Sequence, residues 1–343
     1  MSKTAKIWLI VAAVLTALGL LIFVGAVAAC GMDFAKLGTV AYTTETYEVS
    51  SGFDKISIDV STTEVELKLA DDGRCRAVCY ESDKVRHSAR VESGTLVIDT
   101  VDTRKWWEYL TVSFDTPKMT LYLPESDYGA LKIGTDTGDI AVPGDFSFDT
   151  VDIDGETSDV QLLASVSGEV KIELSTGRIS LDGVKAGKLN LSTNTGGIKL
   201  NNVRADGGSI ETDTGEVQLA TVLCGDLSVD SATGNVELKA VTAGTLAVES
   251  NTGNVRFDGS DAQSITVNTD TGNVTGTLLS DKIFFAESDM GSVKVPKTSS
   301  GGRCEITTDT GNINISIKPS SAADSLAPDL LVPDSFSADS FGA

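Results

Sequence analysis

Between residues 131 and 317 apolar side chains recur two apart with polar positions between them, and the whole motif returns every 19 residues. Counted from a recurrent glycine, the apolar positions are +2, +4, +12 and +14, and often +7. After Gly234 they are Val236, Leu238, Val241, Leu246 and Val248; after Gly215 they are Val217, Leu219, Val222, Leu227 and Val229. Alternation by two is the strand period, so each repeat predicts two short strands with one face turned inward.

The turn between repeats reads TDTGDI at Thr135, STGRI at Ser175, TNTGGI at Thr193, TDTGEV at Thr212 and SATGNV at Ser231. It continues as SNTGNV at Ser250, TDTGNV at Thr269, SDMGSV at Ser288 and TDTGNI at Thr308. Its glycines are Gly138, Gly177, Gly196, Gly215, Gly234, Gly253, Gly272, Gly291 and Gly311, and Ser158 in ETSDV fills the slot between the first two. A second turn is marked by Gly168, Gly187, Gly225 and Gly244. A fixed period sustained this long is the signature of a solenoid. One coil cannot bury its own apolar face, whereas coils stacked about 4.8 Å apart bury about five apolar side chains each, worth roughly 1.5–3 kcal/mol apiece before ordering entropy. The fold class expected is all-β, a β-solenoid. Parity places Thr212 and Thr214 inward and Asp213 outward, so both threonines of each turn are expected to stack inside; threonines facing inward argue against an ice-binding face.

Residues 42–130 depart from the period. Ile56, Ile58, Thr62, Val65 and Leu67 read as a first coil, with Thr63 in the glycine slot. Further strands are expected at Arg74–Tyr80, Thr95–Asp99, Thr111–Phe114 and Met119–Leu123, capping the open end of the stack. Trp106-Trp107-Glu108-Tyr109 is the densest aromatic cluster and suits packing in that cap. From Lys318 the tail, rich in Ser, Asp, Ala and Pro, has no period and reads as disordered.

Ile7 to Ala29 is an uncharged apolar run whose helix would be about 35 Å long, enough to span a bilayer core. Lys3 and Lys6 precede it and Asp33, Glu45 and Glu48 follow. Positive charge on the inner side puts residues 1–6 in the cytoplasm, the helix at 7–29 across the membrane, and everything after the 30–41 linker outside. Val27-Ala28-Ala29-Cys30 also fits a lipobox, the alternative being a lipoprotein anchored at Cys30.

A formal net charge of −22 without any cluster of Lys or Arg excludes nucleic acid as the partner. Five scattered cysteines give no disulfide framework: Cys75 and Cys79 on one strand would lie about 13 Å apart, beyond disulfide reach. Cys304 occupies a core position. The sole histidine, His87, has no Cys or His at metal spacing and reads as surface decoration. Catalytic and cofactor-binding motifs are not seen, so neither an enzyme nor a cofactor is expected. Acidic residues do recur four positions before the turn glycine, at Glu173, Glu211, Asp230, Glu249 and Glu287. Glu211, Asp230 and Glu249 fall on consecutive coils, about 5 Å apart, where a hard cation such as calcium would relieve their repulsion; a solvated acidic face is the plainer reading. Asp136, Asp213, Asp270, Asp289 and Asp309 form a second outward column.

Taken together, the apolar helix, GMDFAKL, FDKISIDVSTTEVEL, the LYLP strand and the serial TDTGDI and TNTGGI turns resemble a bacterial adhesin-like family with β-strand repeats, a domain of unknown function. The resemblance implies a cell-envelope β-solenoid. The function expected is a membrane-anchored extracytoplasmic binding or adhesion-like module whose partner is a protein or glycan at the cell surface. The alternative is an envelope scaffold that self-assembles or binds membrane partners.

Overall fold

The computed structural model describes residues 3–29, 31, 40–106 and 115–318. Lys3–Ala29 is one α-helix, and its stretch Ala5–Ala29 is long and apolar enough to cross a bilayer, with none of its apolar window buried in the fold. The rest of the described chain is one continuous sheet wound into a β-solenoid. The middle turns are the most regular: Ile198–Thr214, Val217–Thr233, Val236–Thr252 and Val255–Thr271 pair in parallel at a constant offset, so Val217, Val236 and Val255 form one column and Leu227, Leu246 and Ile265 another. These columns are buried and form a single core running the length of the stack.

Each middle turn is a bent 17-residue strand rather than the two separate short strands the sequence predicts. The bend lies six residues after the turn glycine, where Gly183, Asn202, Thr221, Ala240 and Gly259 take left-handed φ values between 50° and 71°. The glycines read from the sequence as a second turn have another reason. A Cβ on Gly225 would lie 2.0 Å from the Asp206 carbonyl oxygen, and one on Gly187 2.9 Å from that of Gly168. They permit close approach of stacked backbones rather than a positive φ.

Stacking order departs from sequence order at both ends. At the C-terminal end Gly302–Thr310 pairs directly on Val255–Thr271, and the earlier segment Lys282–Met290 lies outside it. The turn glycines therefore stack as Gly272, Gly311, Gly291. At the N-terminal end β1 is Tyr42–Val49, β2 Lys55–Thr62, β3 Glu64–Leu69, β4 Cys75–Ser82, β5 Val85–Glu92, β6 Thr95–Asp102, β7 Lys118–Leu123, β8 Asp127–Thr137 and β9 Ile140–Val142. The turn β2–β3 is sandwiched between β8–β9 on one side and β6–β7 on the other. Antiparallel β5 then pairs β6, while β4 pairs both β7 and β1. This end includes an additional parallel turn, β6–β7, and two strands, β1 and β5, that the alternation of apolar residues does not predict. The strand expected at Thr111–Phe114, residues 107–109 of the aromatic cluster, most of the linker and the tail after Lys318 lie outside the described residues; Trp106 is exposed.

The threonine columns require a correction. Thr193, Thr212, Thr269 and Thr308 are buried as expected, but Thr214 and its equivalents are exposed. Thr212 pairs Ser231 and Thr214 pairs Thr233, with no pairing at Asp213 between them. The chain turns a corner there, and strict alternation ends with it. The inner hydroxyls serve the turn: Thr193, Thr212 and Thr308 donate to the carbonyls of Gly177, Gly196 and Gly272 at 3.0–3.1 Å. The same hydroxyl on Ser231, Ser250 and Thr269 has no protein partner.

Candidate functional site

The corner that exposes the second threonine builds the longest uniform surface on the molecule. Thr62, Thr137, Thr157, Thr176, Thr195, Thr214, Thr233, Thr252, Thr271 and Thr310 follow one another in register, and Met290 ends the row. All ten threonines are exposed. Two residues further on, the C-terminal half carries a second row, Asn235, Asn254, Asn273 and Asn312. The amide nitrogens of Asn254, Asn273 and Asn312 each donate to the preceding Oδ1 at 3.0–3.2 Å, and that Oδ1 also accepts the same residue's backbone N–H. The glycines Gly234, Gly253, Gly272 and Gly311 form the floor between the two rows, a groove of about 640 Å³.

In the N-terminal half the same +1 column is Asp139, Asp159, Arg178, Gly197 and Glu216, and with Lys199 and Gln218 it lines a groove of about 730 Å³. One face of the solenoid therefore changes along its axis from mixed charge to neutral amide and hydroxyl.

The acidic column is placed as the sequence suggests. Glu211 pairs Asp230 and Asp230 pairs Glu249, all exposed on consecutive turns. Asp270, Asp309 and Asp289 are also exposed, and they stack in that order because of the terminal exchange. The turn glycines are needed where the sequence puts them. A Cβ on Gly196, Gly215, Gly234, Gly253 or Gly272 would lie 1.8 Å from the carbonyl oxygen of the glycine one turn below, and one on Gly138, Gly177, Gly291 or Gly311 between 1.9 and 2.3 Å from a neighbouring backbone oxygen.

His87 is the largest departure from expectation. It is buried, not a surface residue, and it sits in the cap beside two groups that sequence spacing does not connect to it. The Glu81 side chain is within 2.8 Å of His87 Nδ1, and its Oε2 also accepts the His87 backbone N–H at 2.7 Å. Its Oε1 accepts the Tyr47 hydroxyl at 2.6 Å, and Thr63 Oγ1 lies 3.2 Å from His87 Nε2. Burial, then the Glu81 hydrogen bond, hold the Tyr47 phenol well above its ordinary range, so it stays a donor. The Cys79 thiol, fully buried, completes the cluster, and burial pushes its pKa up to about 12 with the Glu81 charge adding to the shift. Cys79, Glu81 and His87 each place a ligand-type atom within 4.8 Å of the others.

Thr63, His87 and Glu81 follow one another in the order of a nucleophile–base–acid relay. All three are buried, and a substrate would have to displace the cap to reach them. The cluster instead joins β1 through Tyr47, β4 through Cys79 and Glu81, β5 through His87, and the first turn through Thr63. A sequence signal for it existed: His87 shares parity with Val85, Ala89 and Val91, as Glu81 does with Cys75, Ala77 and Cys79. Cys75, Cys79, Cys224 and Cys304 are buried free thiols.

The family model described as Toastrack DUF4097 matches residues 53–222 and 209–327. No curated protein sequence matches the chain. Among solved structures, a "putative adhesin" from Parabacteroides merdae is 11% identical with a TM-score of 0.46, covering 81% of this chain and 98% of its own. A "putative adhesin" from Parabacteroides distasonis is 14% identical with a TM-score of 0.44, covering 81% and 98%. A "putative lipid binding protein" from Parabacteroides distasonis is 16% identical with a TM-score of 0.43, covering 80% and 97%.

Proposed function

For this chain, which belongs to the Toastrack DUF4097 family, we propose the role of a membrane-anchored extracytoplasmic binding module that presents the threonine–asparagine face of its solenoid to a neutral, hydroxyl-rich polymer at the cell surface. The observation that carries this reading is the uncharged groove itself. In a chain of net charge −22, four solvent-facing threonines, Thr233, Thr252, Thr271 and Thr310, and four linked asparagines line a strip without a charged side chain and offer hydroxyl and amide groups at a regular spacing of about 4.8 Å. The apolar helix Ala5–Ala29 supports the anchored half of the reading, since none of its most apolar window is buried in the fold.

The test uses the full chain in nanodiscs against immobilised neutral polysaccharides, with polyanionic glycans for comparison. Retention on the neutral polymers that is lost in Thr252→Arg but kept in Glu237→Gln supports the reading. Equal retention by both variants removes the groove from the account.

One observation favours assembly as a second reading. The N-terminal end is covered by antiparallel β4 and β5, whereas the C-terminal end finishes on Lys282–Met290, which among the described residues pairs along one edge only. Ile283, Phe285, Met290 and Val293 are exposed there. A free, partly apolar edge is a template for another strand. Concentration-dependent mass in light scattering would favour this reading over a monomeric binding module.

A further inference from the structure

We propose that Cys79, Glu81 and His87 form a buried zinc site that fastens the cap to the first turn of the solenoid. The three donors are of different kinds, thiol, carboxylate and imidazole, and their atoms converge within 4.8 Å although two strands carry them. Zinc takes these ligands at about 2.0–2.3 Å, which sets donor-to-donor separations of roughly 3.3–3.7 Å, so His87 Nδ1 and Glu81 Oε2, now 2.8 Å apart, open by about 0.5 Å while separations of up to 4.8 Å close by about 1 Å. The Cys79 thiol is wholly buried beside a carboxylate and an imidazole.

The surroundings are those a metal site requires. An imidazole bound to metal has its other nitrogen held by a second group, and Thr63 Oγ1 sits at His87 Nε2. The Glu81 oxygen that would not face the metal is held by Tyr47. The charges also close: one Zn²⁺ with a thiolate, a carboxylate and a neutral imidazole is net neutral, which suits a dry interior. On binding, the Cys79 S–H proton is released and a Zn–S bond forms. The His87 proton shifts from Nδ1 to Nε2, where it donates to Thr63 Oγ1, freeing Nδ1 for the metal. The trio fills three of the four positions zinc takes.

The test uses the full chain purified in detergent without chelator. Elemental analysis should find one zinc per chain, and Co²⁺ replacement should give thiolate-to-metal charge-transfer absorption that Cys79→Ala abolishes. Tyr47→Phe should keep that absorption with affinity about 10–100-fold weaker. A wild-type chain that binds no zinc and shows no charge-transfer band with excess Co²⁺ overturns the proposal, as does a band that persists in Cys79→Ala. Should Cys79→Ala fail to fold, zinc-edge X-ray absorption on the wild-type chain decides. One sulfur neighbour among nitrogen and oxygen is required, and a shell without sulfur refutes the site.

Discussion

Replacing Gly234 by alanine tests the packing logic of the whole stack. The added Cβ would meet the Gly215 carbonyl oxygen at 1.8 Å, a backbone atom that no side-chain rotation can move aside. Ordinary contact begins near 3.4 Å, so the two turns must part locally by roughly 1.5 Å. That separation breaks the bonds Gly215 N–H to Thr233 O and Val217 N–H to Asn235 O, now 2.9 and 3.0 Å. Two lost backbone bonds with their partners left short of replacements, plus strain at a φ of +153°, come to about 3–5 kcal/mol. For a sheet domain of this size each kcal/mol moves Tm by about 2–4 °C, so calorimetry should show a fall of roughly 6–20 °C. Because turns interact mainly with their neighbours, the melt is expected to broaden or split rather than shift rigidly. Thr233→Ala, one residue away and exposed, should stay within about 0.5 kcal/mol of wild type. A Gly234→Ala chain that melts with the wild type would refute the claim that the glycine column exists to let backbones touch.

The corner residues give the opposite sign: Thr221 is β-branched at φ 56°, so Thr221→Gly should raise stability by about 1 kcal/mol in urea unfolding, and a loss would mean its side chain packs more than it strains. Thr212→Val removes a hydroxyl bonded to the Gly196 carbonyl and should cost about 1 kcal/mol, whereas Thr214→Val should cost almost nothing; equal costs would restore the inward reading of both. Asp230 lies between Glu211 and Glu249, so Asp230→Asn should stabilise by a few tenths of a kcal/mol and reduce any rise in Tm with calcium; no change in either leaves that column a solvated face only.

Much of this fold can be read from the periodicity, because the same inward positions recur along the middle turns and are buried where they were expected, as from Val217 to Val229, whereas Val293 on the terminal turn is exposed. Three things could not be read, each for a physical reason. Stacking order at the C-terminal end is invisible because the turns at Gly291 and Gly311 satisfy the same core columns, so the period is indifferent to which lies inside. The facing of Thr214 fails because parity holds only along an extended strand, and the corner at Asp213 resets it. The His87 cluster is hidden because Tyr47, Thr63, Glu81 and His87 come from separate strands, brought together by antiparallel pairing in a segment without a repeat.

The central claim, a solenoid held outside the membrane by its first helix, is tested most directly by labelling intact cells with a membrane-impermeant maleimide. The native thiols at Cys75, Cys79 and Cys304 have pKa values pushed by burial up to about 12, and buried Cys224 to about 11, which keeps their background low. With Cys30 replaced by alanine, Thr214→Cys, on the exposed column, should be labelled in intact cells while Ser2→Cys is labelled only after lysis. Labelling of Ser2→Cys but not Thr214→Cys before lysis would place the solenoid inside and contradict it.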